Sequence, residues 1–175
     1  DISIFNSQQI DDALKGCDVL FIATGARPSI DLTGPAKVDA CGVRSQIESS
    51  KRVGLKRVIL VSSLCAGKWI HPLNLFGLIL IWKRVGEREL ESSGLDWTII
   101  RPGGLNEDES NINLQNILYT KKNIQEEGSI PRRLVAKCCI EALNTKNSIS
   151  KIIEITSNAD QRKISLEKAI NTVNI

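Results

Sequence analysis

Three short stretches bring residues suited to ligand chemistry to the ends of apolar runs. Ser62 and Ser63 follow Val58-Ile59-Leu60-Val61, Thr24-Gly25-Ala26 follow Val19-Leu20-Phe21-Ile22-Ala23, and Pro102-Gly103-Gly104 follow Trp97-Thr98-Ile99-Ile100-Arg101. Small residues and glycines at such points let a flat ligand lie close to backbone, although an ordinary strand-to-loop turn uses the same glycine. Lys83 sits one helical turn after Ile79 and one turn before Glu87. By residue type alone it is a charged end snorkelling from an apolar helix face. Arg101 is either structural or an attractor of cofactor phosphates.

Other chemistries have little to build with. There is one histidine, His71, placed beside Pro72 in a loop, and the five cysteines, Cys17, Cys41, Cys65, Cys138 and Cys139, lack metal-ligand spacing. A Cys/His nucleophile or a His-rich metal centre is therefore not expected. The cysteines read as free thiols in a reducing compartment, used as small buried hydrophobes.

The elements that must position these residues alternate between strand and helix. Two apolar, β-branched runs around one amphipathic helix, with no in-out alternation, are the pattern of buried parallel strands joined by a crossover, and ligands bind at the carboxyl ends of such strands. Ser7 to Leu14 reads as a helix stopped by Gly16, Val19 to Ala23 as a strand, Ala26 to Pro35 as loop, and Ala36 to Val53 as a helix stopped by Gly54. A helix from Asn74 or Leu75 to Ser93 follows, and its apolar run Leu75 to Trp82 is expected to be a buried face. Asn106 to Asn116 reads as a mobile loop and Leu118 to Ile124 as a weak strand. The helix Arg133 to Leu143, the strand Ile152 to Ile155 and a helix from Ser165 complete the chain. The expectation is one domain, residues 1–175, of α/β class with a doubly wound parallel sheet in three α/β/α layers.

Composition narrows the partners. A net charge of +3 and 4% aromatic residues argue against nucleic acid, and no apolar run is long enough to span a membrane. The chain opens at Asp1 and holds no methionine, so a fragment or processed chain is expected.

Taken in order, Gly16-Cys17-Asp18, Thr24-Gly25-Ala26, Val61-Ser62-Ser63, His71-Pro72-Leu73-Asn74, Trp82-Lys83-Arg84 and Arg101-Pro102-Gly103-Gly104-Leu105 resemble the atypical short-chain dehydrogenase/reductases, nearest the NmrA-like and biliverdin-reductase-B-like proteins of photosynthetic organisms. The resemblance implies a Rossmann-type fold and a dinucleotide cofactor, NADP(H) rather than NAD(H). It implies that Thr24, Gly25 and Ala26 lie against ribose and pyrophosphate, and that Ser62 and Ser63 lie beside the nicotinamide. Lys83 would bond the ribose hydroxyls, the backbone of Pro102 and Gly103 would face the carboxamide with Gly104 as a further cofactor-binding candidate, and Asp1 and Ile2 would lie near adenine. Ser62, Ser63 and Lys83 become the catalytic candidates. The family's glycine-rich fingerprint is absent, as though its first three strands were missing. Weak cofactor binding by this chain alone and self-association through an exposed sheet edge are then expected. A cytoplasmic or plastid-stromal location is also implied.

The family's tyrosine, four residues before the lysine, is replaced by Ile79, and Tyr119 is distant in sequence. Three readings remain: a reductase of a small or cyclic substrate without that tyrosine, a non-catalytic NAD(P)-binding regulator or assembly factor working with a protein partner, and a fragment that binds no cofactor.

Overall fold

The computed structural model describes residues 7–27, 31–107, 112–173 and 175. The chain divides into two compact units, Asp1–Leu60 with Ala66–Trp97, and Val61–Cys65 with Thr98–Ile175.

In the first unit, α1 (Ser7–Leu14) leads through Gly16, at a positive φ that glycine adopts without strain, into β1 (Val19–Ile22). A π-helix (Ala36–Gly42) runs on as α2 (Val43–Arg52), followed by β2 (Arg57–Val61), a 3-10 turn (Pro72–Leu75) and α3 (Ile79–Glu91). β1 and β2 pair in parallel, Val19 opposite Arg57 through Ile22 opposite Leu60. Ile22, Val43, Ile47, Val58, Ile59, Leu80 and Leu90 form the buried core.

One sequence expectation holds with a difference in winding, and another fails for a local reason. The helix expected over Ala36 to Val53 exists, but its first part is π-helical. The helix expected from Asn74 or Leu75 begins instead at Ile79, because the Asn74 side chain closes the turn before it. Asn74 Oδ1 accepts from the Leu80 N–H at 3.1 Å, and its amide donates to the carbonyls of Lys68 at 2.7 Å and Trp69 at 2.9 Å. Gly77 and Leu78 then adopt left-handed backbone, which interrupts helical continuity. Leu75 to Trp82 is consequently not one buried face: Leu80 is 1% exposed, whereas Leu75 is 81% exposed and Phe76 50%.

The second unit holds most of β3 (Asp96–Pro102), then β4 (Gly104–Asn106), β5 (Asn116–Lys121), β6 (Ser129–Pro131), α4 (Arg132–Asn144), β7 (Lys151–Asn158) and α5 (Leu166–Val173). β3 pairs with β7 in parallel, β5 pairs with β7 antiparallel, and β4 and β6 form a separate parallel pair. Residues 61–65 extend along β3, with the Ser62 N–H donating to the Ile100 carbonyl at 2.7 Å and the Leu64 N–H to that of Pro102 at 2.9 Å. Ile99, Ile100, Ile130, Ile153, Ile155 and Leu166 are its fully buried side chains. Parallel strands joined through helices place the chain in the α/β class. Of the stretch expected as a mobile loop, Asn106 ends β4, Asn116 begins β5, and residues 108–111 lie outside the described residues.

Candidate functional site

At the carboxyl end of β1, backbone and side chains of the first unit converge on one ion pair. Lys83, in the second turn of α3, places Nζ 2.8 Å from Asp39 Oδ1; the side chains are 14% and 2% exposed. The other oxygen of Asp39 accepts the Ala26 N–H at 3.2 Å. A Cβ on Gly25 would stand 3.6 Å from Lys83 Nζ and 3.7 Å from Asp39 Oδ1, so the exposed glycine backbone lies over the ion pair. Beside it Thr24 Oγ1 is buried and makes no hydrogen bond. A buried hydroxyl left without a partner costs about 1–3 kcal/mol, which makes Thr24 a natural contact for a polar ligand group arriving at this strand end.

The structure thus brings together four of the residues read from sequence, Thr24, Gly25, Ala26 and Lys83, and adds one that the reading missed. Asp39 lies on the π-helix, where the wider winding marks many functional helix sites. Its signal in the sequence was slight: a single acid within an otherwise apolar stretch, Val38-Asp39-Ala40-Cys41. Lys83 is also not a snorkelling surface charge; its head group is held inward by Asp39.

The second unit carries the other predicted residues. Ser62 is buried and its hydroxyl has no hydrogen-bond partner, while Ser63 is half-buried. The glycines after β3 have their N–H groups engaged within the fold. Gly103 donates to the Ile155 carbonyl and Gly104 to that of Gly128, each at 2.9 Å. Pro102 has no N–H, and its carbonyl takes the Leu64 N–H. What this stretch retains for a ligand is carbonyl lone pairs. Gly103 is also sterically required, since a Cβ there would crowd Gly128 and Thr156.

Arg101 proves structural. It is 2% exposed, donates to Asn123 Oδ1 at 3.0 Å and lies 3.4 Å from Glu154 Oε1. Glu154 is itself buried and collects the N–H groups of Asn123, Ile124 and Gln125, so both charges are compensated inside the fold. His71 caps the 3-10 turn by accepting the Leu73 N–H at 3.2 Å. Tyr119 is no substitute general acid: its hydroxyl is buried against Glu141 at 3.2 Å, and desolvation pushes its pKa far above the ordinary phenol value. Asp1 and Ile2 lie outside the described residues. Among those described, no group of His, Cys, Asp and Glu is arranged to hold a metal, and no helix is long and apolar enough to cross a membrane. The cysteines divide: Cys65, Cys138 and Cys139 are buried as expected, whereas Cys17 and Cys41 are exposed.

A family model described as NAD(P)H-binding matches residues 1–146. The chain belongs to this NAD(P)H-binding family. It is 36% identical over 160 residues to an uncharacterized chloroplastic protein of Arabidopsis thaliana, covering 86% of this chain and 56% of that protein. It is 35% identical over 131 residues to sanguinarine reductase of Eschscholzia californica, covering 72% of this chain and 47% of that protein. The chain spans about half the length of these curated relatives. Among solved structures, the oxidoreductase ylbE from Lactococcus lactis superposes with a TM-score of 0.76 at 26% identity, covering 99% of this chain and 75% of that one. The Rossmann-type α/β fold and the kinship with atypical short-chain dehydrogenase/reductases read from the sequence therefore stand. Within the first unit, the unpartnered buried hydroxyl of Thr24 at the end of β1 and the uncovered backbone of Gly25 are features a dinucleotide's polar groups could meet.

Proposed function

We propose that this chain is the nicotinamide-proximal part of an NADPH-dependent reductase acting on an apolar, ring-containing substrate. The Lys83–Asp39–Ala26 arrangement beside Thr24 is the observation that carries the reading. In it Lys83 donates to the ribose hydroxyls, Asp39 fixes the direction of the ammonium and the course of the Thr24–Ala26 backbone, and Thr24 Oγ1 finds its partner on the cofactor. Ser62 and Ser63 keep the roles the resemblance implies, beside the nicotinamide, and Pro102 to Gly104 face the carboxamide with carbonyl groups. NADPH when bound supplies a hydride. With Ile79 where the family's tyrosine would stand, a carbonyl substrate would take its balancing proton from a serine hydroxyl or from solvent, whereas hydride addition to a cationic iminium such as sanguinarine needs none. A ring-containing substrate is suggested by the sanguinarine reductase relative, and an apolar contact surface for it by the exposed side chains Trp69, Ile70, Leu73 and Phe76 in the segment leading into α3. The chloroplastic relative favours a plastid location.

A second reading rests on Ile79 and the immobilised Tyr119: a cofactor-binding regulator that has lost hydride chemistry and acts through a protein partner. One experiment separates the two. The protein from its full open reading frame is titrated with NADPH and NADH, and then NADPH oxidation is followed with sanguinarine as the probe substrate. The reductase reading expects micromolar NADPH binding, weaker NADH binding, at least tenfold loss in Lys83→Ala, and substrate-dependent oxidation. Binding without oxidation selects the regulator, and unaltered binding by Lys83→Ala removes the proposed site.

A further inference from the structure

The second unit holds a cleft of about 820 Å³ that shares no lining residue with the cofactor site proposed above. Its size falls within the roughly 300–1,000 Å³ usual for small-molecule pockets. One wall is α4. The core-facing stripe of that helix is Leu134, Val135, Cys138, Cys139 and Ala142, all buried. A second stripe, Arg133, Ala136, Lys137, Ile140 and Glu141, follows the same helical spacing and lines the cleft together with Leu134. Ile140, at its centre, is 58% exposed. β5 contributes Ile117, and the segment before α5 contributes Lys163 and Ile164.

Among the described lining residues, Lys137 and Lys163 stand beside one carboxylate, Glu141. That carboxylate is engaged by the protein: Oε2 accepts the Tyr119 hydroxyl at 3.2 Å and the Leu166 N–H at 3.0 Å, and Oε1 lies 4.0 Å from Lys137 Nζ. An apolar wall of isoleucines with Lys137 and Lys163 beside it suits a molecule with an apolar body and an anionic head, because the body removes Ile140 from water while the head meets the two ammonium groups.

We infer that this cleft binds an amphipathic carboxylate, an acyl chain with a terminal carboxyl group, whose carboxylate meets Lys137 and Lys163 and whose chain covers Ile140 and Ile117. Isothermal calorimetry with decanoate, on the full chain and below the micelle concentration, tests it. Decyltrimethylammonium serves as the control of opposite charge and acetate as the control without a chain. Saturable one-to-one decanoate binding is expected, with no saturable heat from either control and no displacement by added NADPH. Lys137→Glu and Ile140→Asp alter solvent-facing positions, and each should weaken decanoate at least tenfold while the thermal melting curve stays that of the parent. Absence of saturable decanoate heat, equal affinity for the ammonium, displacement by NADPH, or unchanged affinity in both variants would overturn the inference. Because none of these arms measures hydride transfer, failure of the reductase reading leaves the result interpretable.

Discussion

The carbonyl oxygen of Asp39 occupies the space that a Cβ on Gly86 would need. Gly86 lies in α3, three residues after Lys83, and its backbone does not take the left-handed form. The glycine serves close approach rather than conformational freedom: it lets α3 press on the π-helix until Lys83 Nζ reaches Asp39. Gly86→Ala gains about 0.5–1 kcal/mol of helix propensity and loses about 1–3 kcal/mol to overpacking. Net destabilisation in urea unfolding is therefore expected, together with weaker NADPH binding. Unchanged stability would mean that the two helices separate without cost.

Asp39 and Lys83 should be energetically coupled. Asp39→Asn removes the charge that directs the ammonium, whereas Lys83→Met leaves a carboxylate that is 2% exposed with only the Ala26 N–H to serve it. Breaking one partner of a buried pair costs about 3–5 kcal/mol, and the 14% exposure of Lys83 places this pair toward the lower end. In a double-mutant cycle on unfolding, the two changes should show a coupling of about 1–3 kcal/mol. Additive effects would remove Asp39 from any positioning role.

β1, β2, β3 and β7 and their order in the chain were legible because buried parallel strands are written as continuous β-branched runs, whereas the three-residue β4 and β6 are too short to show a pattern and β5 was read only as a weak strand over Leu118 to Ile124. Thr24 to Ala26 and Lys83 were legible from strand ends and from resemblance. Asp39 was not, because its role depends on a long-range approach made by Gly86 and on π-helical winding, and neither has a local pattern. The start of α3 was misplaced for a related reason: Asn74 caps it from six residues away, and Leu75 and Phe76 share the apolar character of the buried residues that follow. The spent N–H groups of Gly103 and Gly104 were hidden because their acceptors, Ile155 and Gly128, lie far along the chain.

Thiol reactivity should divide the cysteines. Cys17 and Cys41 are exposed and should react with a maleimide in the native protein, while Cys65, Cys138 and Cys139 should wait for unfolding. Burial pushes the Cys139 thiol up to about 11 and raises that of Cys138 well above its ordinary value. Both folded pKa values lie above the unfolded value of 9.0, so this stabilisation is fully present below about pH 9 and is lost as pH rises through the folded values. Cys138→Ala/Cys139→Ala should flatten the fall in stability between pH 9 and 11, measured by chemical denaturation. An unaltered slope would assign that fall to other groups.

The position of Ile79 makes a kinetic prediction. A missing general acid typically costs about 10²- to 10⁴-fold, so turnover of simple aldehydes by the parent should be slow and Ile79→Tyr should raise it. Steady-state NADPH oxidation measures both. Ordinary dehydrogenase rates in the parent would reveal an acid other than Tyr119, whose hydroxyl is buried against Glu141.

The edge of the sheet supplies the last prediction. Among the described residues β1 pairs only with β2, which leaves the backbone groups along its other side without a strand partner. β1 is apolar throughout, Val19-Leu20-Phe21-Ile22, and Phe21 is 42% exposed. An apolar edge without lysine or proline lacks two of the features that discourage pairing with another chain. The 175-residue chain should therefore show a light-scattering mass that rises with concentration over the micromolar range. Phe21→Lys puts a charge on that edge without touching the buried side chain of Ile22, and it should return the mass to that of a monomer. A parent that stays monomeric throughout, or a Phe21→Lys variant that associates as strongly as the parent, would show that β1 is not the surface through which copies meet.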